Sequence, residues 1–186
     1  MKMLKFFLIY CFIFFTSCKN KCENIQQETK TMMKSWYKKK IFFPSNMEKL
    51  INVSSTNNKI SDLINMQGYT IVHFFTADCD KCIDELSTIK KSLQNLPENP
   101  NVNFVFIASA PTKLYVSDAI KKINFPYPIY YEREYYSFKT INKLPVSDNL
   151  YNTMILNNNS EVILFGAFYD NDKAKSLYSK ILICNL

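Results

Sequence analysis

The sequence predicts an α/β domain with a mixed central β-sheet flanked by helices, and three observations point there. Runs of β-branched and aromatic residues alternate with segments of helical periodicity. One run, Phe104-Val105-Phe106-Ile107, is apolar without alternation, as suits a parallel strand covered on both faces. Two late apolar runs flank Asn157-Asn158-Asn159-Ser160, the pattern of an antiparallel hairpin. A length of 186 residues, 47% of them hydrophobic, suits one domain with its own core, and no internal repeat is present.

Taken in order, 22–40 reads as an N-terminal helix with Ile25, Met32, Met33 and Trp36 as its apolar stripe. Residues 41–44, Ile-Phe-Phe-Pro, form a short extended segment ended by Pro44, an edge strand that anchors in the core. A Ser/Thr/Asn-rich loop over 53–58 and a short helix over 60–66 lead to a turn at Gly68. Residues 71–75 are a buried strand, followed by a helix with Ile83, Leu86, Ile89 and Leu93 on one face. The run Leu96-Pro97-Glu98-Asn99-Pro100 breaks the chain. A second buried strand covers 102–108, and a helix covers 112–123 with Leu114, Val116 and Ile120 as its apolar positions. Residues 125–131 are extended, 134–141 a short helix and 144–149 a loop. The hairpin pairs 153–156 with 161–165, and a helix over 171–184 carries Ala174, Leu177, Ile181 and Leu182 inward. His73, the one histidine, lies inside an apolar strand and reads as a packed residue rather than a ligand.

The chemistry concentrates at Thr76-Ala77-Asp78-Cys79-Asp80-Lys81-Cys82, where the strand ends and the helix begins. Unpaired backbone N–H groups and the positive end of the helix dipole favour an anion there, and a thiolate is one. The i, i+3 spacing sets both sulfurs on one helical face, close enough to bridge. Cys79, nearer the helix start, is expected to be the more exposed thiol and the nucleophile, and Cys82 the resolving thiol. The intervening Asp80 and Lys81 oppose one another in charge, and Asp84 and Glu85 read as solvated helix residues within reach of proton transfer.

Strand, turn, C-x-x-C and helix resemble the active-site segment of thioredoxin-fold thiol–disulfide oxidoreductases, and more narrowly the TlpA/ResA-like lipoproteins of Gram-negative bacteria. The segment from Trp36 through Pro44, aromatic, then basic, then apolar, resembles the opening segment of that group. The element order β-α-β-α-β-β-α matches the thioredoxin core over roughly 41–186. The resemblance implies a protein-disulfide substrate, no cofactor, and reduction fed by a membrane redox partner. That fold also implies a cis-proline just before the hairpin strand, facing the dithiol. Counting back from Met154, the position falls near Tyr151, and Pro145 comes about six residues too early. Tyr151 is therefore expected to face the dithiol and narrow the substrate groove.

The first 17 residues read as a signal peptide: Lys2 and Lys5 ahead of an apolar stretch too short for a comfortable membrane span. Its end, Phe15-Thr16-Ser17-Cys18, resembles a bacterial lipobox, which implies acylation of Cys18 and a lipid anchor. Residues 18–40 then become a helical linker and 41–186 the domain, held at the cell envelope and facing the periplasm. Loss of Lys2 and Lys5 lowers the formal charge from +7 to +5. The remaining excess is scattered lysine without Arg/aromatic interleaving, which argues against nucleic acid as a partner. Of six cysteines, Cys11 leaves with the signal, and Cys22 and Cys184 either pair or stay free. The alternative to an oxidoreductase is a non-enzymatic binding or metal-carrying lipoprotein. Its zinc form would need Cys22 and Cys184 as further ligands.

Overall fold

A computed structural model of the protein describes residue 27 and residues 33–50, 68–94, 101–169 and 172–184. The strands are β1 (Glu48–Lys49), β2 (Tyr69–Thr76), β3 (Val102–Ser109), β4 (Ile129–Glu132), β5 (Thr153–Leu156) and β6 (Val162–Phe165). The helices are α1 (Asp80–Leu93), α2 (Lys113–Ile123), α3 (Ser137–Ile141) and α4 (Asp172–Cys184), with a 3-10 turn at Asn149–Asn152. The strands form one sheet in the order β1-β4-β3-β2-β5-β6. β2, β3 and β4 run parallel, and β5, β6 and β1 join antiparallel.

β2 takes the centre of the sheet. Seven of its eight residues are buried, which matches its mostly apolar sequence, broken by Thr70 and His73, and its two pairing partners, β3 and β5. Gly68 enters it at φ +114, with Asn101 so close that any Cβ would collide with its carbonyl. On α1 the buried residues are Ile83, Leu86, Ile89 and Leu93, the stripe the sequence predicts. Burying four aliphatic side chains contributes roughly 1.5–3 kcal/mol each. That helix is therefore fixed to the sheet along its whole length, and its first turn with it.

Several elements differ from the sequence expectation, each for a tertiary reason. The expected 22–40 helix does not continue through 33–38, which forms turns with Lys38 at φ +63. This stretch instead lies along the free edge of β6. The Lys38 N–H donates to Val162, the Val162 N–H to Lys39, and the Ile41 N–H to Ser160. An exposed strand edge is thereby paired. Leu114, expected in the core, is 66% exposed, and Val116 with Ala119 make the inner face of α2. The 134–141 helix starts only at Ser137. Before it, Tyr136 takes a left-handed backbone (φ +60), and its N–H donates to the Ser109 hydroxyl. β1 had no sequence signal at all. Residues 53–58 and 60–66, along with Cys18, Cys22 and the side chain of Cys184, lie outside the described residues.

Candidate active site

The C-terminal end of β2 delivers the dithiol. Thr76 closes the strand, and the Ala77 N–H still donates to Ser109 of β3 at 2.9 Å. Asp78 is exposed, and its carboxylate accepts from the Tyr135 hydroxyl at 2.8 Å, tying this turn to the segment after β4. Cys79 is the N-cap residue of α1, in extended backbone conformation. A cap is usually a Ser, Thr, Asp or Asn oxygen that accepts an orphan N–H. Here the acceptor is sulfur: the Cys82 N–H points to Cys79 Sγ at 3.3 Å. Charge on that sulfur strengthens the cap and meets the positive end of the helix.

Cys82 sits one turn in and is built differently. Its Sγ accepts from the Thr76 hydroxyl at 3.3 Å. Burial pushes the Cys82 thiol above its ordinary value, helped by Cys79, while the Thr76 hydrogen bond pulls the other way and the Glu85 carboxylate adds least to the rise. Both cysteines are half-buried free thiols. The pair is therefore asymmetric: one sulfur receives a backbone donor at the helix end, and the other is kept protonated.

A groove of about 690 Å³ lies along α1, and its lining includes Lys81, the residue before Cys82, but neither cysteine. Lys81 and Glu85 of α1, Lys173 and Leu177 of α4, Asn149 and Leu150 of the 3-10 turn, and Phe165 and Gly166 at the end of β6 line it. Gly166 holds φ +126 just past β6, a backbone state other residues rarely adopt, while its N–H donates to Thr153 at 2.9 Å. Tyr169, also on the groove, donates its hydroxyl to Glu85. Tyr151 belongs to the 3-10 turn that immediately precedes β5. Its ring packs 4.8 Å from Phe165 and 5.4 Å from Trp36, centroid to centroid. Asn152 is the residue directly before the strand, and no peptide bond among the described residues, that of Pro145 included, is cis.

His73 lies on β2, paired in register with Thr153. It is 1% exposed, and its Nδ1 shares a 2.9 Å hydrogen bond with the Thr153 hydroxyl. Its Nε2 has no hydrogen-bond partner among the described residues. Burial, with Lys139 adding to it, pushes the imidazole down to about 3, so the ring is neutral. Its place in an apolar strand predicts such a packed residue. No group of three or more His, Cys, Asp or Glu side chains comes together among the described residues to hold a metal ion. None of the described helices is long and apolar enough to cross a membrane.

Sequence reasoning located the dithiol but missed Thr76 as a sulfur donor, and it missed the groove. Gly166 carried a signal: it is one of only two glycines in the chain. Leu150 and Tyr169 carried none, since single exposed or aromatic positions next to loops are common.

No protein-family model and no curated protein sequence matches the chain. Solved structures do. A candidate thiol:disulfide interchange protein DsbE from Chlorobium tepidum superposes with a TM-score of 0.57 at 11% identity, over 82% of this chain and 100% of that one. The thioredoxin domain of a thiol-disulfide oxidoreductase from Bacteroides vulgatus gives 0.55 at 10% identity, over 76% and 97%. A thioredoxin-like protein solved in its oxidised form gives 0.55 at 10%, over 78% and 95%. At such identities the likeness speaks for architecture. With its mixed six-stranded sheet, flanking helices and strand-to-helix C-x-x-C, the chain has a thioredoxin-like fold.

Proposed function

We propose that this chain is an exported, lipid-anchored thiol–disulfide oxidoreductase that reduces protein disulfides. The observation that carries the reading is the asymmetry of the pair: Cys79 sulfur caps α1, while burial keeps the Cys82 thiol protonated. Cys79 thiolate attacks one sulfur of a substrate disulfide, forming a mixed disulfide and releasing the other sulfur as a thiolate. Cys82 then gives up its proton, which the released thiolate takes, and attacks Cys79. The products are the Cys79–Cys82 disulfide and a substrate dithiol, so two electrons pass to the substrate. A membrane redox partner returns the enzyme to its dithiol form. The groove seats the polypeptide around the substrate disulfide, and Tyr151 shapes it by backing Phe165.

Cys18, at the end of the signal-like segment, carries the lipid that holds the domain at the periplasmic face of the envelope. The test of the chemistry is an equilibrium titration against glutathione, read by alkylation of Cys79 and Cys82. A single two-electron transition is expected, absent in Cys79→Ser, and a dithiol that never closes overturns the reading. The anchor is tested separately by Cys18→Ser, which releases the protein from membranes. Retention in the membrane with an uncleaved N-terminus refutes the acylation.

A further inference from the structure

Lys139 is 1% exposed, although it lies on a five-residue helix next to a surface loop. A lysine ammonium has three donors and no acceptor, and taking it out of water is costly unless all three are used. Here each donor has a carbonyl: Pro145 at 3.0 Å, Val146 at 3.0 Å and Asp148 at 3.4 Å. The ammonium also stands 5.2 Å from the centre of the Phe74 ring on β2. Burial pushes Lys139 down to about 8 against the opposing pull of Asp148, so at neutral pH it remains an ammonium. One side chain thus gathers three carbonyls of a four-residue stretch and presses them onto the central strand.

The gathered stretch leads straight into the groove. The Asp148 carbonyl also receives the Tyr151 N–H at 3.3 Å, and the Asp148 carboxylate caps the turn by accepting from the Leu150 N–H at 2.9 Å. That turn carries Asn149 and Leu150, which line the groove together with Lys81 and Glu85 of α1. The loop gains little burial in return. Val146 is 49% exposed and Leu150 51% exposed, so apolar side chains are held out in water. A buried cation that orders an outward-facing apolar loop is poorly explained by stability alone.

We infer that Lys139 is a positioning residue for substrate, fixing the 145–150 loop as a docking surface for a protein disulfide on the groove that α1 lines, the helix that Cys79 caps. This deepens the oxidoreductase reading and rests on it. The loop offers Val146 and Leu150 to an apolar stretch of the partner polypeptide, and Lys139 keeps them from folding away. A small disulfide needs no such surface.

The experiment compares two substrates, the native disulfides of insulin and the small aromatic disulfide dithionitrobenzoate, in wild type, Lys139→Met and Asp148→Ala. Asp148→Ala keeps the carbonyl that Lys139 holds and removes the carboxylate that caps Leu150, so it tests the loop as the docking surface, and Lys139→Gln, which keeps two donors, stands in for Lys139→Met if that variant does not fold. The expected result is a rise in KM of about tenfold for the protein disulfide in Lys139→Met and a smaller rise in Asp148→Ala. The kcat and the rate with dithionitrobenzoate are expected to hold. Equal losses on both substrates, or no loss on either, overturn the positioning role while leaving the redox reading intact. A wild-type chain that exchanges with neither substrate sinks the redox reading, and the positioning role goes with it.

Discussion

On one wall of the groove, the start of α1 is fixed by backbone: the Cys82 and Ile83 N–H groups donate to the Cys79 carbonyl, and Cys79 sulfur closes the cap. On the other wall, the 145–150 loop is held by the end of a single side chain, Lys139. A helix start is over-determined, because many hydrogen bonds and four buried side chains must fail before it moves. A loop gathered on one ammonium can be lost by one substitution. The contrast suits the proposed chemistry: the reacting sulfurs stay rigid, while the surface that meets the partner can differ without disturbing them.

The sharpest way to break the rigid wall is at its cap. Cys79→Ser is expected to bring disulfide exchange to background, and Cys82→Ser to accumulate a mixed disulfide through Cys79, both read by non-reducing electrophoresis. Trapping through Cys82 would reverse the assignment. In wild type, alkylation of Cys82 should rise only at pH values above the ordinary cysteine range, because burial disfavours its thiolate.

A second effect, on the order of a few kcal/mol, comes from His73, buried in β2 and hydrogen-bonded to Thr153 of β5. The folded imidazole is pushed down to about 3, while the unfolded chain titrates near its ordinary 6.5. The unfolded state therefore binds the extra proton between those values. The stability is fully present above about 6.5 and is lost as pH falls towards 3. Denaturant midpoints from pH 7 to pH 4 should fall in wild type and fall less in His73→Gln. Parallel slopes would remove His73 from the account.

Next in size is Trp36, which touches Tyr151 and Phe165 and so braces the softer wall from behind. Trp36→Ala should cost about 2 kcal/mol, the half-buried version of a buried Trp truncation. It should also raise the KM for protein disulfides. A stability loss with unchanged KM would show that the brace serves the core alone. Smallest is Leu114→Gln on the outer face of α2, expected to stay within about 0.5 kcal/mol of wild type in thermal melts.

These two walls also mark what the sequence reveals. The α1 start was legible because periodicity, strand composition and the C-x-x-C all point to one place, and Ile83, Leu86, Ile89 and Leu93 went inward as the pattern requires. The opposite wall was not. Nothing local in Phe138-Lys139-Thr140 says that the lysine is buried, since lysines are rarely inside. Its partners are carbonyls, which every residue has. Counting back from the hairpin led to the neighbourhood of Tyr151, but the 3-10 turn at Asn149–Asn152 that carries it has no distinctive composition. Met33 and Trp36 looked helical because their spacing is helical. Pairing with β6 outweighed that local preference.

The strap along β6 has a consequence for how the chain acquires its shape. Lys38 and Lys39 bond to Val162, a residue made more than one hundred positions later. Contacts this distant carry a large loop-closure cost and form late. A chain emerging N-terminus first leaves the strap without its partner until the hairpin appears, more than one hundred residues later. The β6 edge of the sheet is therefore sealed by a segment made before any of the six strands. A chain shortened to begin after Ile41 would reach that stage with an open edge, ready to take a strand from a neighbouring molecule instead.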